Sequence, residues 1–196
     1  MTVTPSQMLP LGTRAPDFSL PDENPLTDEG TVTLKHHSDR PAVLVAFLCN
    51  HCPYVKHIVD TFAEKAKEYQ DRGVGVVAIS SNDPEEYPDD APDQMADLAE
   101  GKGFTFPYCF DETQEVAQAY RAACTPDFFL FDGDLELFYR GQFDGSRPGN
   151  DEPVTGEDLT EAVDRVLAGE DRPEDQTPSQ GCNIKWRSGN EPEYFA

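Results

Sequence analysis

The sequence predicts an α/β fold in which strands and helices alternate and an antiparallel hairpin follows near the end. Two short apolar runs, Val43–Leu48 and Val74–Ser80, have the composition of strands that are buried on both faces of a sheet. Between and after these runs, apolar residues recur at helical spacing. The order from Val43 onward is β-α-β-α-β-α-β-β-α, which is typical of a sheet covered by helices.

The first predicted helix begins directly after the first strand. From Pro53 to Asp71, apolar residues recur at helical spacing with Lys and Glu between them, and Gly73 ends the pattern. After the second strand, residues 82–93 are rich in proline and acidic side chains, which predicts a surface loop. A short helix over about residues 94–101 is expected to follow this loop.

The second half of the chain is predicted to contain a strand, a helix, a hairpin and a last helix, over residues 104–110, 113–122, 128–139 and 159–167. Asp132-Gly133-Asp134 supplies the turn of the hairpin, because these residues favour a tight reversal between two apolar runs. After Gly169 the chain becomes polar and proline-rich. We therefore predict one domain over residues 1–170 and a tail over residues 171–196 that packs on the surface of the domain.

Acidic residues greatly outnumber basic ones, with 38 Asp and Glu against 15 Lys and Arg and a formal net charge of -23. Such a surface repels phosphate groups, which argues against nucleic-acid and anionic-membrane partners. No apolar run approaches the roughly 20 residues that cross a bilayer, and the N-terminus lacks the pattern of a secretory signal. We expect a cytoplasmic protein, and the scarcity of lysine favours the hypothesis of a salt-rich cytosol.

Cys49 and Cys52 form a C-x-x-C pair at the predicted junction of a strand and a helix. Backbone N–H groups and the helix dipole stabilise an anion at this position, and a thiolate is such an anion. We assign Cys49 as the attacking thiolate and Cys52 as the resolving thiol. A protonated His51 would stabilise the thiolate further. The pair predicts thiol-disulfide chemistry without a bound cofactor.

A C-x-x-C pair can also begin a zinc site, which needs two further ligands. The sequence contains no second C-x-x-C, and His57 is better explained as an ordinary residue of the first helix. The preferred interpretation therefore includes no metal. A redox-inactive or zinc-holding binding module stays open as a function of another class.

Three further cysteines lie outside the pair. Cys109 belongs to an apolar strand and is expected to behave as a small buried hydrophobe. Cys124 lies two residues before Pro126, where it is expected to pack, with a modulating role as the lesser alternative. Cys182 in the tail either packs beside Trp186 or acts as a third redox cysteine that receives the disulfide from the pair.

Three segments of the sequence resemble the redoxin branch of the thioredoxin-fold superfamily, which includes peroxiredoxin-like (AhpC/TSA) and thioredoxin-like proteins. They are Leu11–Leu20 (LGTRAPDFSL), Phe47–Tyr54 around the cysteine pair, and Tyr120–Asp132 (YRAACTPDFFLFD). The resemblance extends from about residue 11 to residue 167. It implies a three-layer thioredoxin fold with a central mixed sheet and an N-terminal redoxin extension. It also implies a cis peptide bond at Thr125-Pro126, in a loop that faces the substrate.

The resemblance leaves two reactions open. Typical peroxiredoxins read P-x-x-x-T-x-x-C-P, and in that alignment Cys52 is the peroxide-attacking residue, whereas Val45 and Cys49 replace the Pro and the Thr. The preferred function is a thiol-disulfide oxidoreductase. The alternative is a thiol peroxidase in which Cys52 attacks peroxide and Cys49 resolves the product. The expected partners are a protein or small-molecule disulfide or thiol, a peroxide in the alternative, and a thiol electron donor.

Overall fold

The computed structural model describes residues 3–195 and confirms the α/β prediction. Met1, Thr2 and Ala196, at the ends of the predicted domain and tail, lie outside the described residues. In chain order the strands and helices are β1 (Val3–Pro5), β2 (Ser19–Pro21), β3 (Thr31–Thr33), β4 (Ala42–Phe47), α1 (Pro53–Asp71), β5 (Gly75–Ser80), α2 (Pro92–Lys102), β6 (Tyr108–Phe110), α3 (Glu115–Tyr120), β7 (Cys124–Thr125), β8 (Asp127–Asp132), β9 (Leu137–Gly141), α4 (Glu157–Ala168) and β10 (Gln180–Asn183).

A mixed five-stranded sheet, in the order β6-β5-β4-β8-β9, forms the centre of the molecule. The first three of these strands are parallel to one another. β8 is antiparallel to β4, and β9 is antiparallel to β8. All six residues of β4 are buried, as expected for a strand with neighbours on both sides and cover on both faces. The register pairs Phe47 with Asp127, so the cysteine pair that follows β4 lies beside the loop that precedes β8.

Side chains of β4 alternate between two apolar cores. Leu44 and Ala46 pack with apolar residues of α1, α2 and α4 on one face of the sheet. Val43, Val45 and Phe47 pack on the other face with residues of α3, the N-terminal segment and the C-terminal segment. The period of two along the strand therefore produces the three-layer arrangement.

Several predicted elements differ from the observed ones. The strand predicted over residues 104–110 is limited to β6, and α2 begins at Pro92 rather than near residue 94. The loop predicted over residues 82–93 to lie at the surface contains buried polar residues, namely Asn82, Asp83 and Asp90, and a short 3₁₀ helix at Pro88–Asp90. Its acidic composition is therefore not a guide to its exposure.

The segment after residue 171, predicted as a tail on the surface, contributes a strand to a second sheet. β10 lies between β1 and β7 and pairs antiparallel with both, so that Cys182 is opposite Val3 on one side and Thr125 on the other. Gly181 is required for this close approach, because a Cβ atom there would lie 1.9 Å from the carbonyl oxygen of Thr125. Cys182, Ile184 and Trp186 are buried, so this part of the chain belongs to the core.

No helix within residues 3–195 combines the length and the apolar character needed to cross a membrane.

Candidate active site

Cys52 is the N-cap residue of α1, with Pro53 at the first helical position. Proline fits there because the first N–H groups of a helix have no partner within it. The pKa of Cys52 is lowered to about 5. The largest cause is the hydrogen bond from the Cys49 thiol, which outweighs the opposing effect of burial, and the thiol of Cys182 and the backbone N–H of Val55 add to it. The thiolate of the site is therefore favoured on Cys52.

Cys49 follows β4 and is completely buried, with its Sγ 3.1 Å from Oγ1 of Thr125. Burial raises the pKa of Cys49 well above its usual value, and the hydrogen bond to Cys52 and the negative charge of Asp90 raise it further. This distribution is the reverse of the predicted one, in which Cys49 carried the thiolate. The reason is that Cys49 is the more deeply buried of the two thiols and donates to Cys52, which also accepts from the backbone N–H of Val55 at the start of α1.

His51 faces Asp90. The Nδ1 atom of His51 lies 2.5 Å from Oδ2 of Asp90, and its ring stacks on Tyr87 with the ring centres 5.0 Å apart. The possible ligand or base atoms of Cys49, His51 and Asp90 all lie within 4.8 Å of one another. His51, predicted to stabilise the thiolate, thus lies with Asp90 on the Cys49 side of the pair.

Asp90 is a candidate functional residue that the sequence analysis missed. Its carboxylate is completely buried and accepts hydrogen bonds from the backbone N–H of Asn50 and His51 and from Nδ2 of Asn82, over 2.7, 3.1 and 2.8 Å. Burial raises the pKa of Asp90, but the hydrogen bonds from His51 and Asn82 outweigh it, so the pKa is lowered overall. The sequence around Asp90 is rich in acidic residues, so nothing local distinguished it from side chains exposed at the surface.

These contacts bear on the zinc-holding alternative. Cys49, His51 and Asp90 have donor types that zinc accepts. However, both oxygens of Asp90 already accept hydrogen bonds, and one of them engages the same Nδ1 atom of His51 that faces the cluster. A metal ion would have to replace these bonds, so the three residues fit a hydrogen-bonded network better than a metal site.

The Thr125-Pro126 peptide bond is cis, as the resemblance implies. Sγ of Cys52 lies 3.2 Å from the carbonyl oxygen of Thr125, so the loop lies beside the reactive pair. The edge of Thr125 that was predicted to face a substrate is paired instead with Cys182 of β10. Sγ of Cys182 lies 2.9 Å from Sγ of Cys52. The chain's own C-terminal strand therefore occupies the predicted substrate edge.

The two remaining cysteines have different surroundings. Cys124 is buried and its Sγ faces the carbonyl oxygen of Pro126 at 3.6 Å. Burial raises the pKa of the thiols of Cys124 and Cys109. Cys109 lies in β6 and belongs to an apolar core. Both behave as packed side chains, in keeping with the interpretation of their sequence positions.

A buried ion pair lies directly after the cis-proline in the chain, between Asp127 of β8 and Arg140 of β9. Nη2 of Arg140 lies 3.1 Å from Oδ2 of Asp127, and both side chains are inaccessible to solvent. Ser6 joins the pair, because its hydroxyl donates to Oδ1 of Asp127 over 2.8 Å and accepts from Nε of Arg140 over 2.9 Å. The guanidinium also lies over the ring of Phe129, 4.2 Å from its centre. Sequence analysis did not single out these residues, since nothing local marks them as partners.

Comparisons with known proteins identify the family of this chain and several relatives. Residues 11–140 match the AhpC/TSA family. The protein named "Putative peroxiredoxin MT2597" from Mycobacterium tuberculosis is 27% identical over 120 residues, which cover 61% of this chain and 69% of that protein. The thiol-disulfide oxidoreductase ResA of Oceanobacillus iheyensis is 28% identical over 133 residues, which cover 67% of this chain and 65% of ResA.

The fold extends beyond the region of that family match. The crystal structure of an uncharacterized conserved protein from Geobacillus kaustophilus superimposes with a TM-score of 0.91 at 50% identity, covering 95% of this chain and 97% of the other. More distant thioredoxin-fold structures share the arrangement of the central sheet and helices. The predicted thioredoxin fold is thereby confirmed.

Proposed function

The chain belongs to the AhpC/TSA family, and we propose that it is a thiol-disulfide oxidoreductase in which Cys52 is the nucleophile and Cys49 the resolving thiol. One observation carries the proposal: Cys52 caps α1 in contact with the Cys49 thiol, and its pKa is lowered to about 5. A thiol of this acidity is ionised at neutral pH, and the thiolate is the reactive form. The proposal keeps the predicted pair and reverses the two roles.

The reaction follows from the positions of the two thiols. The thiolate of Cys52 attacks one sulfur of a substrate disulfide, the substrate S–S bond breaks, and the released thiolate takes a proton from solvent. Cys49 then loses its proton and attacks Cys52, which forms the Cys49–Cys52 disulfide and releases the second substrate thiol. A thiol electron donor returns the pair to the reduced form.

Deprotonation of Cys49 is the difficult step, because burial and Asp90 both favour its neutral form. His51 and Asp90 supply a base in the form of a hydrogen-bonded imidazole and carboxylate within 4.8 Å of the Cys49 sulfur. A histidine ring can accept a proton at one nitrogen while the other is hydrogen-bonded, and the carboxylate of Asp90 orients the ring through Nδ1. In this proposal His51 therefore serves the resolving thiol rather than the nucleophile.

Peroxide reduction is the second candidate, and the acidity of Cys52 favours it as well. Cys52 is the residue that aligns with the peroxide-attacking cysteine of peroxiredoxins. Its thiolate would attack a peroxide oxygen, the O–O bond would break with loss of water or alcohol, and Cys49 would then condense with the sulfenic acid to form the disulfide and water. Both candidates use the same pair in a cytoplasmic protein that draws electrons from a thiol donor.

Single-turnover kinetics of the reduced protein distinguish the two reactions. We expect oxidised glutathione and insulin, which are both disulfides, to oxidise the thiols of the reduced protein faster than hydrogen peroxide does. Cys52→Ser should abolish the reaction, and Cys49→Ser should accumulate a mixed disulfide between Cys52 and the substrate. Fast consumption of peroxide with slow reaction of both disulfides would replace the first candidate by the second. Retention of either activity in Cys52→Ser would refute both.

A further inference from the structure

β10 brings a third thiol into contact with the reactive pair. Sγ of Cys182 lies 2.9 Å from Sγ of Cys52, although 130 residues separate them in the chain. The backbone pairing of Cys182 with Thr125 holds the strand in place on one side, and pairing with Val3 holds it on the other. Cys182 is 2% exposed, so the contact is shielded from solvent thiols. Backbone hydrogen bonds on both sides of β10 thus fix the position of Cys182.

The sulfur of Cys52 interacts with two neighbouring thiols. In its thiolate form Cys52 accepts hydrogen bonds from the thiols of Cys49 and Cys182, and the sulfur of Cys182 lies 2.9 Å away. Thiol-disulfide exchange requires an attacking sulfur on one side of the central sulfur and a leaving sulfur on the other. The three side chains therefore supply the participants of an internal exchange in which Cys52 is the shared atom. Cys124, although close in sequence to the same loop, faces the carbonyl oxygen of Pro126 instead.

We propose that Cys182 is a third catalytic thiol, which replaces Cys49 as the disulfide partner of Cys52 once the first disulfide has formed. Sγ of Cys182 attacks Sγ of Cys52, the Cys49–Cys52 bond breaks, and the Cys52–Cys182 bond forms. Cys49 leaves as a thiolate and takes up the proton that Cys182 lost, so the step needs neither oxidant nor reductant. The proposal rests on the proposed function, since it requires Cys49 and Cys52 to become oxidised.

This exchange has a structural consequence for the electron donor. In the Cys52–Cys182 form, the disulfide links α1 to β10, and the edge of Thr125 remains covered by β10. A protein donor must therefore displace β10 to reach the disulfide, whereas a small thiol needs only a local opening. The docking of β10 on Thr125 depends on Gly181, because the close approach of the two backbones leaves no space for a side chain at position 181.

Peptide mapping of the oxidised full-length protein tests the exchange. Trypsin is expected to place Cys49 and Cys52 in one peptide, residues 36–56, and Cys182 in another, residues 166–185. After oxidation by oxidised glutathione, we expect the two peptides to be joined in the wild type, whereas in Cys49→Ser, which cannot form the first disulfide, they should stay separate and Cys52 should carry glutathione. They should be separate in Cys52→Ser and in Cys182→Ser, and Cys124→Ser serves as the matched control that keeps the joined pair.

The outcomes separate this proposal from the proposed function. A wild type that turns over substrate but yields only the internal Cys49–Cys52 disulfide refutes the role of Cys182 and leaves the proposed function intact. Joined peptides that persist in Cys52→Ser refute Cys52 as the shared sulfur. If no disulfide forms at any of the three cysteines, both proposals fail together.

A second variant tests the geometry with all three thiols present. Gly181→Ala places a methyl group against the carbonyl of Thr125 and should reduce the yield of joined peptides several-fold, while the Cys49–Cys52 disulfide still forms. Gly101→Ala is the control, because Gly101 lies in α2 with no atom within 4 Å of an added Cβ. An unchanged yield in Gly181→Ala would contradict the requirement for the docked strand, and the comparison of the wild type with Cys182→Ser remains decisive if Gly181→Ala does not fold.

Discussion

Asp127 and Asp90 are both completely buried near the cis-proline loop, but they have different partners. Asp127 faces the guanidinium of Arg140, which stays protonated at every physiological pH. Asp90 faces the imidazole of His51, a group that can both accept and donate a proton, and it also lies close to a thiol. The first carboxylate thus belongs to a fixed structural pair, and the second to a network that can move a proton.

The two networks also differ in their connections. Asp127 and Arg140 join β8 to β9 and, through Ser6, to the segment after β1. Asp90 joins the segment between β5 and α2 to the backbone of the cysteine pair. A substitution in the first network should therefore affect stability above all, whereas one in the second should alter the chemistry of the thiols. Four measurements examine this difference, beginning with the largest expected effect.

Arg140→Met removes the partner of Asp127 and leaves a buried carboxylate without a counter-charge. Loss of one member of a buried pair is expected to lower the free energy of unfolding by about 3–5 kcal/mol. Arg72→Met is the matched control, because its ion pair with Asp164 is exposed and contributes about 1 kcal/mol or less. Urea denaturation measures both variants. Equal losses in the two would show that the buried pair has no special structural role.

Asp90→Asn should lower stability less than Arg140→Met and should change its pH dependence. Loss of the charged acceptor is expected to cost about 1–3 kcal/mol at neutral pH. Since the pKa of Asp90 is lower in the folded state, its ionisation stabilises the fold above the unfolded-state value and loses that effect as the pH falls through the folded-state value. Denaturation from pH 7 down to pH 3 should show a weaker acid dependence in the variant, and an identical profile would contradict this role.

The charge of Cys52 should be controlled by Cys49 rather than by Asp90. We expect the ultraviolet absorbance of the thiolate to titrate with a midpoint near pH 5, the value to which the pKa of Cys52 is lowered. Cys49→Ala should move the midpoint upward, because it removes the largest stabilising hydrogen bond. Asp90→Asn should leave it nearly unchanged. A larger shift in Asp90→Asn than in Cys49→Ala would reverse the assignment of the two environments.

The smallest expected effect is the difference in how salt changes the contribution of exposed and of buried charges to stability. With a net charge of -23, the protein should become more stable as KCl rises to molar concentration, because screening weakens the repulsion among surface carboxylates. The stability difference between wild type and Arg140→Met should stay almost constant, since its charges are shielded from the ions. A wild type whose stability does not rise would refute the hypothesis of adaptation to a salt-rich cytosol.

The central part of the fold was predictable because its signals are local. β4, α1 and β5 are each specified by consecutive residues whose composition and spacing suit one structure. β7 and β10 are only two and four residues long, and they exist because distant segments pair with them. No pattern within such a short segment identifies its partner, so the second sheet could not be predicted.

The candidate site shows the same division. Cys49, Cys52 and the Thr125-Pro126 loop carry sequence motifs, and the structure brings them together. The distribution of charge between the two cysteines depends mainly on the burial of Cys49 and on its hydrogen bond to Cys52, and the spacing of residues in the sequence specifies neither. Asp90 could not be distinguished from its exposed acidic neighbours, because its burial results from tertiary contacts with Asn50 and Asn82.

The central position of β10 has a consequence for local unfolding. A strand that pairs on both sides cannot leave one neighbour without disturbing the other, and β1 pairs with β10 alone among the described strands. Amide hydrogens of β1 and β10 should therefore exchange with solvent as one cooperative unit, more slowly than those of a frayed end and faster than those of β4. Cys52 is then uncovered by a concerted opening of two strands that are far apart in sequence, and the rate of that opening sets an upper limit on its reaction with large partners.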